Sequence, residues 1–205
     1  MALNVPCGGG GMVGLTNAAA GTVWYAVVPG LANAYARLEG FQYNCGNTAN
    51  NFTFMRPIAR AQATVAGLTN VATITVDADP SPSGNTIAAG DQVVVGPCSD
   101  GSYRRGQVNT SGWNSTTKVI TLTANNAAAF AVGTKVYNFG VPGDTDPITG
   151  AAFPVFTPTA NTVGNCVFYG GGFVSAAKGD PLLIYNPNAT NATTLNHAGY
   201  AHSAG

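Results

Sequence analysis

IAAGDQVVVG, residues Ile87 to Gly96, is the stretch whose reading decides the fold. Small residues approach a glycine, an aspartate follows it, and a run of valines comes next. A glycine supplies the positive φ of a tight turn, and the adjoining Asp bonds back to the local backbone, so the valines enter a β-strand. The same design recurs in FAVGTKVYNF, Phe130 to Phe139, and in SAAKGDPLLIYN, Ser175 to Asn186. Gly90, Gly133 and Gly179 are therefore expected to be strand-entry turns. The first two copies are each preceded by a further strand, VATITV at Val71 to Val76 and KVITLT at Lys118 to Thr123. Residues 69–139 thus read as an approximate internal duplication. Its period is not fixed, which excludes a solenoid and leaves an antiparallel β-barrel or β-sandwich.

Working outward, Asp100-Gly101 is a hairpin signal, and alternation places Tyr103, Arg105, Gln107 and Asn109 on one face of the strand after it. A second turn is expected near Gly112 to Thr116. Upstream, TVWYAVV at Thr22 to Val28 is a short strand closed by Pro29-Gly30, and ANAYARLEGFQY reads as strand in preference to helix. A further strand is expected within Asn51 to Val65, where Pro57 implies an edge or a bulge. Four prolines, at 142, 147, 154 and 158, mark a long connection. NCVFYGGGFVSA, Asn165 to Ala176, reads as a strand with a bend at Gly170 to Gly172. The ends hold few large apolar side chains. The organisation expected is an N-terminal arm over 1–20, a β-domain over 21–185 and a C-terminal arm over 186–205, with the arms ordered on another subunit.

Charge is scarce. Only 8% of the 205 residues are charged, eight of each sign, against roughly a quarter in an ordinary soluble domain. The first charged residue is Arg37. A compact monomer of this mass exposes about 9,000 Å², or on the order of 550 Å² per charge, a surface poorly defended against association. Zero net charge without a basic stripe argues against nucleic acid. No run reaches the ~18 apolar residues of a membrane span. The start, MALNVPCGGGGMVGL, lacks a basic n-region, so neither export nor membrane insertion is expected.

Chemistry-bearing residues are few. His197 and His202 stand five apart in the C-terminal segment, off helical zinc spacing, and read as surface residues of a tail. Cys7, Cys45, Cys98 and Cys166 contain no C-x-x-C pair, so zinc is not expected, and reduced structural thiols are favoured over the alternative of disulfides within or between subunits. Glu39 is the sole Glu and lacks an evident partner for paired-carboxylate chemistry with Asp77, Asp79, Asp91 or Asp100. Asp77/Asp79 and Asp144/Asp146 are spaced as loop calcium ligands but lack the rest of an EF-hand set, so turn capping is expected. No catalytic residue, cofactor or metal is assigned, and no enzyme is expected. The five N-x-S/T sequons, at Asn51, Asn109, Asn114, Asn188 and Asn191, follow from Asn and Thr abundance. The candidates that remain are for an interface: Trp24 and Tyr25 from an aromatic-rich N-terminal third, the cation clusters Arg56/Arg60 and Arg104/Arg105, and His197 and Tyr200 in the C-terminal arm.

A charge-poor, Ala/Gly/Thr/Asn-rich β-protein with IAAGDQVVV and ITLTANNAAAFAVGTKVYNFG strand entries and pliable ends resembles the virion structural proteins of tailed bacteriophages. It is most similar to capsid decoration, or cement, proteins, mainly over Thr69 to Phe139. The resemblance implies a β-barrel or β-tulip fold, trimers at capsid threefold sites and arms over neighbouring capsomers. It also implies a major capsid protein or other virion subunits as partners, and a location in the virion after synthesis in the host cytoplasm. A tail, baseplate or fibre subunit, or a glycan-binding adhesin, is the alternative.

Overall fold

A computed structural model describes residues 6–13, 24–45, 51–83, 85–126, 129–186 and 194–204, with the backbone alone at 6–13, 24–26, 125–126 and 194–198. Among these residues all regular structure is antiparallel β, in fifteen strands. They are β1 (Pro6–Val13), β2 (Trp24–Val28), β3 (Tyr35–Asn44), β4 (Phe52–Met55), β5 (Ala59–Gln62), β6 (Val71–Thr75), β7 (Gln92–Val95) and β8 (Arg104–Asn114). There follow β9 (Val119–Asn126), β10 (Lys135–Asn138), β11 (Val155–Phe156), β12 (Val163–Val167), β13 (Phe173–Val174), β14 (Leu182–Asn186) and β15 (Thr194–Ser203).

The chain divides into two compact units, and the span read as one β-domain contributes to both. The first comprises Met1–Arg56 and Thr145–Gly205; the second, Pro57–Asp144, is inserted into it. Pro57 is the first residue of the insertion, which explains why the strand expected over 51–65 forms as two short ones, β4 and β5, in different units.

The first unit is a sandwich. One sheet runs β1-β15-β3-β12, with β13 also on β3, and the other runs β11-β4-β14-β2. Alternation on β3, shifted by one residue at the Glu39 bulge, turns Ala36, Leu38 and Phe41 to the core, where they meet Val28, Phe52, Phe54, Leu182 and Ile184 of the opposite sheet. Phe41 lies 5.5 Å from Phe52 and 5.3 Å from Phe54 between ring centroids, and Phe168 caps Phe54 edge-on at 4.9 Å. Phe41, Phe52 and Phe54, which are buried, each contribute roughly 1.5–3 kcal/mol by leaving water.

The end segments, expected to find order on another subunit, carry strands that pair within this chain. β15 lies between β3 and β1, with Tyr200 opposite Leu38 and Gly11, and His202 opposite Ala36. Main-chain hydrogen bonds, which a count of large apolar side chains does not register, hold this part of the sheet.

The second unit is a six-stranded barrel built on the duplication. Its order is β5-β10-β7-β8-β9-β6, and a bridge between Ala63 and Val76 returns β6 to β5. Thr64 N–H donates to Thr75 O at 2.9 Å and Asp77 N–H to Gln62 O at 3.0 Å across that seam. Equivalent strands pair with each other about two local pseudo-twofold centres. On β7 and β10, Val94 faces its counterpart Tyr137, while Val93 faces Asn138 and Val95 faces Val136. On β6 and β9, Ile74 faces Ile120, with Thr73 opposite Thr121 and Thr75 opposite Val119.

The repeat reaches further than the sequence reading took it. β5 lies on β10 as β8 lies on β7, so Arg60-Ala61-Gln62 and Arg105-Gly106-Gln107 hold matching places. The seam bridge Ala63–Val76 matches Val108–Leu122. Gly90 N–H donates to Val108 O and Gly133 N–H to Ala63 O, again as counterparts. Gly90, Gly133 and Gly179 have φ of 95°, 84° and 85°, the positive values that the strand-entry turns require. Inside the barrel lie Ala61, Ile74, Val76, Val93, Val95, Val108, Ile120, Leu122 and Val136.

Candidate functional site

The carboxylates are occupied in holding turns. Asp79 Oδ1 accepts from Ser81 Oγ and Ile87 N–H, Asp77 Oδ1 from Gln62 N–H, and Asp144 Oδ2 from Val141 N–H. Asp100 Oδ1 accepts from the Ser102 hydroxyl and amide, which hold its carboxyl below the usual range. Asp91 is buried and takes hydrogen bonds from Ala88 N–H and Asn138 Nδ2; burial outweighs them and pushes its carboxyl up. Among the described residues no three His, Cys, Asp or Glu side chains gather as a metal site. Glu39 pairs with Arg37 at 2.6 Å. Cys45 and Cys98 are buried and Cys166 is half-buried, and burial raises the thiols of the last two.

The interface candidates read from the sequence fall in several places. Trp24 and Tyr25 lie on β2, an edge strand, opposite Asn186 and Tyr185; their side chains, like those of His197 and Cys7, lie outside the described residues. The sequons at Asn188 and Asn191 lie outside them as well. His197 is in register with Gln42 on β15. Tyr200 is half-buried against the sandwich core. His202, read as a surface tail residue, is instead buried, and its Nε2 lies 2.9 Å from the carbonyl of Pro29. Period-two alternation on β15 turns it inward with Tyr200.

Arg56 and Arg104 are buried inside their own units. Arg56 pairs with Asp146 at 2.8 Å and lies 4.1 Å over the Phe173 ring; burial lowers its guanidinium, and Asp146 partly restores it. Arg104 donates to Val71 O at 2.8 Å and stacks 4.9 Å over Phe130. Arg60 is exposed on β5 and Arg105 half-buried on β8, at matching positions of the barrel.

The surface with the clearest chemistry was not singled out from the sequence. On the first unit, β12 forms one end of its sheet, with Val163 73% and Val167 58% exposed, and Tyr169 just beyond is 92% exposed. Gly170, Gly171 and Gly172 follow, all at positive φ, forming the expected bend. On the adjoining outer face Gly40 pairs with both Gly199 and Val167, leaving a shallow open groove floored by backbone. A Cβ at Gly40 would collide with the carbonyl oxygen of Cys166. The available signal was the alternation of VGNCV combined with the absence of any charged residue from 147 to 177.

No protein-family model matches the chain, and no curated protein matches it. Among solved structures, VP17, a capsid protein of bacteriophage P23-77, overlaps 96% of this chain and 97% of its own at 14% identity and a TM-score of 0.23. The VP16-VP17 complex of the two major capsid proteins of the same phage overlaps 96% and 99%, at 14% identity and a TM-score of 0.24. Scores of this size fall below those of a shared fold.

Proposed function

We propose that this chain is a structural subunit of a phage virion that binds the outside of the capsid and stabilises it through contacts between subunits. The observation that supports this reading is how little charge the first unit keeps at its surface. Six of the sixteen charged residues belong to it: Arg37, Glu39, Arg56, Asp146, Lys178 and Asp180. Arg56, Asp146 and Asp180 are buried, and Arg37 and Glu39 neutralise each other. Lys178 is left exposed, close to the Tyr35 ring. A broad neutral surface suits repeated contact in a shell, where many weak contacts accumulate into durable binding. The carboxylates described above serve turns and ion pairs.

The partners in this reading are a major capsid protein or other virion subunits, and the chain itself assembles, a trimer being the form the decoration class implies. The test is to add purified chain to particles lacking it and follow cosedimentation and the temperature at which the particles release their genome. Saturable binding with a raised release temperature is expected. Labelling confined to the tail by immuno-electron microscopy, or no cosedimentation, overturns the reading. Removing 186–205 is not a clean test, because it takes β15 from the middle of its sheet.

A further inference from the structure

We propose that two copies of this chain join edge to edge through β12, antiparallel, about a twofold axis at Asn165. The direction of the β12 main chain supplies the first argument. Cys45 N–H donates to Thr162 O at 2.8 Å, and Phe168 N–H donates to Glu39 O at 2.9 Å. Residues 162 and 168 therefore turn their main-chain groups toward β3. Since these directions alternate along a strand, Val163, Asn165 and Val167 turn theirs to the opposite edge. Among the described residues β12 pairs with β3 alone, so that edge has no strand beside it.

Exposed edges are ordinarily guarded by Lys, Pro or a covering loop. This one carries none of the first two, and the nearest charged residues in sequence are Asp146 and Lys178. Its three exposed residues read Val, Asn, Val in either direction. Pairing about Asn165 sets Val163 against the other copy's Val167 and the two Asn165 side chains against each other. Every outward main-chain group is then used, in about six hydrogen bonds. Shifting the axis to residue 164 or 166 leaves some of them unpaired.

The occupant is a second copy because the edge is self-complementary in both side chains and hydrogen bonds, as an isologous contact requires. A neutral edge also offers nothing to select a charged partner. The barrel of the same chain already pairs equivalent strands this way, about Val94 and Tyr137 and about Ile74 and Ile120. The contact links copies whether or not each also belongs to a threefold ring. It rests on the edge alone and is independent of the virion reading.

The experiment compares the full chain with Val163→Lys/Val167→Lys and with Asn165→Pro, using Ile148→Lys, at another exposed apolar position, as control. Sedimentation equilibrium should give a mass for the wild type and control that halves in both β12 variants. Amide exchange at 163, 165 and 167 should slow about tenfold as the wild type is concentrated and should not slow in the double Lys variant. Near-UV circular dichroism establishes that the variants fold; all substitutions are at exposed positions. A wild type that stays monomeric, or β12 variants that associate like the wild type, overturns the proposal. So does association without protection of these three amides. Capsid binding that persists in variants of halved mass upholds this contact and the virion reading separately.

Discussion

Replacing Asp146 by alanine should be among the most damaging single changes in the first unit. Its carboxylate meets Arg56 at 2.8 Å, with the two side chains 1% and 6% exposed, and it also accepts the amide of Ile148. The alanine variant leaves a guanidinium buried over Phe173 with its counter-charge gone, which costs about 3–5 kcal/mol. That is a large part of a typical total of roughly 5–15 kcal/mol. Asp146→Asn keeps an acceptor for the amide and should cost less. Arg56→Met with Asp146→Leu removes both desolvated charges and should return most of the loss, because a buried pair and an apolar pair of similar volume differ little. Urea unfolding of these proteins, with Arg56→Met and Asp146→Leu each made singly to complete the cycle, gives the numbers, and the coupling energy should exceed about 1 kcal/mol. If Asp146→Ala costs under about 1 kcal/mol and fades in high salt, the pair behaves as a solvated surface contact and the reasoning fails.

In the barrel, Gly67→Ala drives its new methyl into the Phe130 ring and should cost about 1–3 kcal/mol, with partial recovery in Gly67→Ala/Phe130→Leu; equal melting temperatures would refute this. Because burial raises the Asp91 carboxyl in the folded state, wild-type stability should fall as pH rises from about 4 through that raised value, whereas Asp91→Asn should show a flatter profile in chemical denaturation between acid and neutral pH. Residues 57–144 expressed alone should fold, since β5 and β10, at their two ends, are paired; absence of slow-exchanging amides would count against it. Cys45 and Cys98 should resist iodoacetamide in the native protein and react on unfolding, read by peptide mass; rapid native labelling of either would contradict their burial.

Much of the barrel was legible because its rules are local. A glycine before Asp or Thr and a valine run specifies a turn and then a strand within ten residues, and Gly90 and Gly133 obey that rule wherever the strands go. The Arg60-Ala61-Gln62 copy of Arg105-Gly106-Gln107 was overlooked because its three residues carry no turn signal, and only the pairing with β10 and β7 aligns them. The insertion was hidden for another reason: Pro57 marks where the chain leaves the sandwich, but the partner of Arg56 lies ninety residues on, at Asp146. Composition misdirected the reading of the ends. Their Gly and Ala residues cannot build a core of their own, yet β15 occupies a central place in its sheet through main-chain bonds, and His202 is buried there. Arg56 and Arg104 looked like surface cations because sequence gives charge without depth.

The insertion has a consequence for how such a chain changes over generations. The chain leaves the sandwich after Arg56 and returns at Thr145, and the ion pair from Arg56 to Asp146 ties the sandwich side of that opening shut. On the barrel side, β5 and β10 likewise bring the two ends together. Recombination at these two points can exchange the barrel for a different module, or for a few linking glycines, without altering a strand of the sandwich. The sandwich can then remain constant while the inserted cassette diversifies, and the same two junctions are where a foreign domain can be displayed.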